Sequence, residues 1–163
     1  MNNISTPDLP EYIRPGISFE IGSFEFSAKN IIEFASLWDP QDFHTDAEKA
    51  KNSLLGGLCA SGWHTASVWM KLQRKSLAKQ KEILESKGEA APEFGPSPGM
   101  KRLKWIKPVY AGDTISYKNK IHSVRISNSK PGWHIMESSV EAVNQHNEPV
   151  MTFSSAVFLK IAT

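Results

Sequence analysis

The last third of the chain restricts the fold most, because apolar side chains recur there at every second position. In "KRLKWIKPV", Leu103, Trp105 and Val109 alternate with basic residues, and Met151, Phe153, Ser155, Val157, Leu159 and Ile161 share one face of the final run. Between them "TISYKNKIHSVRIS" and "WHIMESSVEAV" read as half-buried strands, bounded by the turn segments "YAGD", "NSKPG" and "NQHNE". No helical stretch separates these runs. Parallel neighbours need long crossover connections, usually helical, so the pattern predicts a mainly antiparallel sheet.

Upstream the periodicity changes. "GISFEIGSFEFS" reads as a strand interrupted at Gly22 and Ser23. Ser27 is placed to cap a helix over "AKNIIEFASLW", where Ile31, Phe34, Ala35 and Trp38 form one apolar stripe. After a Gly pair and a run of small residues comes "WHTASVWMKL", with Ala66, Trp69 and Met70 at helical spacing. It continues or restarts through the polar "QRKSLAKQKEILESKG". "EAAPEFGPSPG" is a loop. The expectation is an α+β domain, one apolar helix held by an antiparallel sheet. A chain of 163 residues suits one such domain, since it buries roughly 70% of its unfolded surface. Residues 1–15, rich in proline and polar groups, are expected as a flexible arm before a domain over 16–163. Of Trp63, Trp69 and Trp105, at least two are expected in the core.

Several function classes lose support. No apolar run approaches the ~20 residues of a membrane helix. The first residues pair no basic flank with an apolar stretch, and the single cysteine, Cys59, excludes an intramolecular disulfide framework. A cytoplasmic protein without membrane attachment is the expectation. The net charge is +2, with basic residues gathered at Lys71–Lys81 and at Lys101, Arg102, Lys104 and Lys107. No helix-turn-helix, zinc or aromatic RNA-binding signature accompanies them, so a nucleic-acid partner is not expected.

The densest polar stretch is "WDPQDFHTD", Trp38–Asp46. A calcium loop counted from Asp39 would need glycine at its sixth position and glutamate at its twelfth. Here those are His44 and Ala50, and zinc would want more histidine or cysteine nearby, so no metal is expected. Pro40 pushes Asp39 out of the helical region and ends the preceding helix near Trp38, leaving a structured loop. Asp42 and Asp46 suit turn and cap roles. Asp39 and His44, five residues apart across a stiffened turn, can face one water, a carboxylate orienting an imidazole that exchanges protons near neutral pH. In "ASGWHT", the N–H of Gly62 opens the apolar helix, where a developing oxyanion is stabilised. The same small residues also serve plain helix–sheet packing.

These stretches in this order, together with "KPVYAGD" (Lys107–Asp113), resemble the MaoC-like dehydratases, the hotdog-fold family that includes (R)-specific enoyl-CoA hydratases. The likeness runs from about Gly16 to Ile161. It implies a single hotdog domain, an antiparallel sheet wrapped around a long central helix. It also implies a hydro-lyase of fatty-acid metabolism that adds water to, or removes it from, an enoyl thioester. Asp39 and His44 match the catalytic pair and Gly62 the glycine whose N–H meets the thioester carbonyl. Ser61 stands where the hydratases often have histidine. Phe43, Ser61, Trp63 and His64 are the implied substrate contacts, and Lys101, Arg102 and Lys104 the implied partners of coenzyme A phosphates. The resemblance implies no cofactor beyond the thioester carrier, and a homodimer or higher oligomer. A hotdog acyl-CoA thioesterase and a non-catalytic acyl-thioester-binding subunit are the alternatives.

Overall fold

The computed structural model describes residues 9–161. The strands are β1 (Ser18–Phe26), β2 (Glu93–Phe94), β3 (Gly99–Trp105), β4 (Asp113–Ile126), β5 (His134–Val143) and β6 (Pro149–Lys160). The helices are α1 (Ala28–Trp38), α2 (Asp42–Thr45), α3 (Ala47–Lys51) and α4 (Gly62–Ser86). Every strand pairing is antiparallel, in the order β1-β4-β5-β6, with β2 and β3 both on the far edge of β6. The long alternating runs of the C-terminal third are thus the centre of the sheet, as their pattern predicts.

The interruption in β1 is a bulge, with the register slipping between Glu20 and Gly22 and Gly22 at a φ of +128°. Glycine takes that conformation without a Cβ penalty, and the extra residue bends the strand. A second bulge lies in β3, where Lys101 pairs with Ser154 and Lys104 with Thr152. Arg102 adopts a left-handed φ of +56° there. This changes the face parity of the strand: Leu103 packs on the core, while Lys101, Arg102 and Lys104 line shallow troughs on the opposite face of the sheet.

Helix α4 is one uninterrupted helix of 25 residues, and the sheet curls about its N-terminal half. Val68 and Trp69 pack with Phe26, Ile31, Tyr117, Val140 and Phe153 in the main core. Met70, one residue on from Trp69 and so rotated by about 100°, is exposed. The polar C-terminal half of α4 lies at the surface apart from Leu84, which belongs to a second core cluster with Ile121, Met136 and Leu159. Leu9, Tyr12 and Ile13 complete that cluster. Residues 9–13 of the expected flexible arm are therefore docked over this part, and residues 1–8 lie outside the described residues.

Two aromatic expectations are corrected. In α1, Ile31 and Ala35 are fully buried, but Trp38 is 73% exposed. It lies two turns beyond Ile31, about 10 Å further along the axis, at the last residue of the helix. Of the three tryptophans considered for the core, only Trp69 is buried; Trp63 and Trp105 are 57% and 46% exposed. Trp63 sits in the first turn of α4 and Trp105 at the end of edge strand β3, so neither has a second layer to cover it. Among the described residues no helix is long and apolar enough to cross a membrane.

Candidate active site

Helix α1 begins as expected, with the Ser27 side chain accepting from the Asn30 N–H at 3.3 Å. It stops at Trp38, and Asp39 leaves the helix at φ −155°, ψ 68° while its N–H still donates to the Ala35 carbonyl. The segment after Pro40 is more ordered than a loop, because Asp42–Thr45 form the single helical turn α2. That turn carries His44 inward until it is 6% exposed. Asp46 then caps α3, its Oδ1 accepting from the N–H groups of Glu48 and Lys49 at 2.9 and 3.0 Å. Asp42 turns outward to an ion pair with Lys49. The four titratable side chains of the stretch therefore diverge, two to capping and surface roles and two to a common point.

At that point Asp39 Oδ2 lies 3.5 Å from His44 Nε2. The other ring nitrogen, Nδ1, is 2.6 Å from the carbonyl oxygen of Cys59. A carbonyl can only accept, so Nδ1 carries a proton, and Nε2 is the ring nitrogen turned toward Asp39. Nε2 and the carboxylate face each other across a gap longer than a good N–H···O bond, and one polar atom can be held against both. The Gln41 side chain donates to Asp39 Oδ1 at 2.8 Å. Burial pushes the Asp39 carboxyl up, but the Ser61 and Gln41 side chains and the His44 imidazole outweigh it and hold the group below its ordinary value. It is a carboxylate at neutral pH.

Ser61, fully buried, is the N-cap of α4, and its hydroxyl accepts from the Trp63 N–H at 3.3 Å. The N–H groups of His64 and Thr65 donate to the Ser61 carbonyl. This leaves the Gly62 N–H without an acceptor among the described residues, at the positive end of a 25-residue helix. Gly62 and His44 line one cleft of about 350 Å³, with Phe43, Leu55, Thr65 and Trp105 among its walls. An ideal Cβ on Gly62 would come within 2.6 Å of Trp105 Cδ2 and Nε1, so only glycine fits under that indole.

The remaining expected residues divide. Phe43 lines the cleft edge-on to His44, and Trp63 stands edge-on to Trp105 at 5.2 Å. His64 points the other way, stacked on Phe34 at 4.4 Å and edge-on to Phe26 at 4.9 Å. Burial pushes its pKa down to about 4, so it is neutral, and its Nδ1 has no partner among the described residues. His64 is a core residue and lines no part of the cleft. Lys101, Arg102 and Lys104 lie on the opposite face of the sheet. The cation at the cleft is Lys107, paired with Glu148. The sequence reading also missed the Cys59 carbonyl, for which no side-chain pattern exists, and Val109 and Val150, which look like ordinary strand residues.

A curled antiparallel sheet around one long helix, with a carboxylate–imidazole pair at that helix's N-terminus, defines a hotdog-fold protein. The chain belongs to the family described as FAS1-like, dehydratase domain region, which matches residues 14–153. The MaoC-like dehydratase from Rhodospirillum rubrum superposes with a TM-score of 0.75 at 29% identity, over 94% of this chain and 97% of that one. The (R)-hydratase from A. caviae involved in PHA biosynthesis shares the fold at a TM-score of 0.65 and 19% identity, over 94% and 100% of the two chains. The uncharacterized protein YdeM of Bacillus subtilis is 32% identical over 100 residues, which span 61% of this chain and 63% of that relative.

Proposed function

We propose that this dehydratase-family protein catalyses the reversible hydration of a 2-enoyl thioester to the 3-hydroxyacyl thioester, with coenzyme A as the carrier. The observation that carries the proposal is the 3.5 Å gap between Asp39 Oδ2 and His44 Nε2, with His44 lining a cleft that also holds the free N–H of Gly62. In the hydration direction a water held between the two side chains gives up a proton to the pair. Its oxygen bonds to the β-carbon as the carbon–carbon double bond shifts its electrons toward the thioester carbonyl. The Gly62 N–H donates to the oxygen that gains charge, a contact of a kind whose loss typically costs ~3–4 kcal/mol. The pair then returns a proton to the α-carbon, and elimination is the same path reversed. Asp39 and His44 act as one proton-exchanging unit.

We further propose that the working unit is a homodimer. Edge strand β3 is bonded to β6 on one side only, and Met100, Trp105 and Ile106 are exposed along it and just beyond. A second copy pairing at this edge would cover both the unpaired backbone and the apolar side chains. Sedimentation at micromolar concentration checks it, and a monomer there removes the dimer from the proposal.

The activity test uses 2-enoyl-CoA substrates and two readouts. Hydration removes the enoyl-thioester absorbance without releasing thiol. Thiol release would instead identify a thioesterase. Binding of saturated and unsaturated acyl-CoA with neither altered would identify a non-catalytic subunit.

A further inference from the structure

The region behind the cleft is closed. Thr65, Val109 and Val150 form its floor and are at most 3% exposed. Beneath them Tyr117, fully buried, donates its hydroxyl to the Thr65 carbonyl at 2.9 Å, and the Thr65 hydroxyl donates to the Gly62 carbonyl at 2.6 Å. Deeper still, Trp69 packs edge-on to Phe153 at 4.7 Å and donates its indole N–H to Asn119, which in turn donates to Gln73. The space between α4 and the sheet is therefore filled by bulky side chains held in hydrogen bonds. An acyl tail whose carbonyl sits at the Gly62 N–H has no path inward between helix and sheet.

One wall remains. The Trp105 indole lies flat enough on Gly62 to exclude even a methyl group, and Trp63 braces it from the side. It stands beside the position assigned to the thioester carbonyl. The cleft volume of about 350 Å³ corresponds to about a dozen water-sized volumes at ~30 Å³ each. That holds the thioester, the near end of its carrier arm and a short acyl group, while a longer tail would leave the cleft for solvent.

We infer that Trp105 is the specificity-determining wall of the cleft and that it restricts the substrate to short acyl chains, on the order of four carbons by that volume. The inference rests on the hydratase reading for the position of the carbonyl. Trp105 lies on an edge strand and is about half exposed in a single copy, so replacing it spares the core, and sedimentation of each variant shows whether the proposed pairing at this edge survives.

The test compares 2-butenoyl-CoA with 2-octenoyl-CoA as substrates of the full chain. The wild type should favour the four-carbon substrate by at least ~100-fold in kcat/KM, within reach of differences of a few methylenes in an apolar pocket. Trp105→Leu should raise kcat/KM for the eight-carbon substrate at least ~10-fold, a gain that damage to the fold cannot produce, and Trp105→Phe should give a smaller gain. Equal use of both substrates by the wild type, or a ratio unchanged in both variants, overturns the inference. If no chain length is hydrated, calorimetric binding of butanoyl-CoA and octanoyl-CoA reads the same wall. Discrimination that Trp105→Leu relieves keeps the wall and removes the hydratase reading, whereas discrimination that is absent or unaltered removes the wall.

Discussion

Nδ1 of His44 is held 2.6 Å from the carbonyl oxygen of Cys59, so one nitrogen of the ring is committed before any substrate arrives. The other, Nε2, faces Asp39 Oδ2 across 3.5 Å. On the proposed mechanism the two groups exchange protons as a unit, so Asp39→Asn and His44→Ala should each lower hydration at least ~100-fold. Circular dichroism should show both variants folded. Asp42→Asn touches only an exposed ion pair with Lys49, so its rate should stay near that of the wild type. Near-normal turnover in both dyad variants would remove the pair from the mechanism.

Gly62 and Trp105 should be coupled in stability. Gly62→Ala forces a Cβ into the indole, and overpacking of this kind costs about 1–3 kcal/mol. With Trp105→Ala in the same chain the collision is gone, and alanine is then the better helix former, so the cost should fall below ~0.5 kcal/mol. Denaturant unfolding of the two single variants and the double variant measures the coupling. Additive effects would mean that Trp105 does not rest on Gly62.

Much of this site is legible in the sequence, and the parts that are not share a cause. The caps at Ser27 and Asp46, the break at Gly22 and the end of α1 before Pro40 are local events, encoded by residues within a few positions of one another. Asp39 and His44 can be selected for the same reason, since α2 brings them together over one turn. The exposure of Trp38 and Trp105 depends on which other elements the finished fold lays over them, which periodicity does not record. The placement of Lys101, Arg102 and Lys104 turns on the bulge at Arg102, where one extra residue reverses which side chains share a face. The orienting partner of His44 is a backbone carbonyl fifteen positions away, and any residue type could supply it.

Asn119 offers a test of the filled interior. It is 2% exposed, accepts from the Trp69 indole at 3.1 Å and donates to Gln73 at 2.6 Å. Asn119→Ala leaves a buried indole N–H and the Gln73 carbonyl oxygen without partners and opens a void beside them. Each stranded group costs about 1–3 kcal/mol, so the variant should lose about 2–4 kcal/mol in urea unfolding. A loss under ~1 kcal/mol would show that water reaches this chain of side chains, and that the interior is open enough to admit a tail.

The last prediction concerns pH and follows from His64. Its ring is enclosed by Phe24, Phe26 and Phe34, and burial holds its folded pKa near 4, against ~6.5 in the unfolded chain. Above pH 6.5 the imidazole is neutral in both states and contributes no pH dependence. As pH falls from about 6.5 to about 4, the unfolded state takes up a proton that the folded state refuses, so folding stability declines through that window. A difference of about two and a half units corresponds to roughly 3 kcal/mol at its full extent. His64→Phe keeps an aromatic ring in the aromatic cage and removes the titration. Its stability relative to the wild type should therefore rise as pH drops from 7 to 4, read as a growing difference in urea midpoint. The carboxylates held below their ordinary values, Asp39, Asp46 and Glu148, lose their contributions at still lower pH and do so in both proteins, so they cancel from the difference. Parallel curves for the two proteins between pH 7 and 4 would mean that His64 is solvated in the folded state and is not the neutral core residue described above.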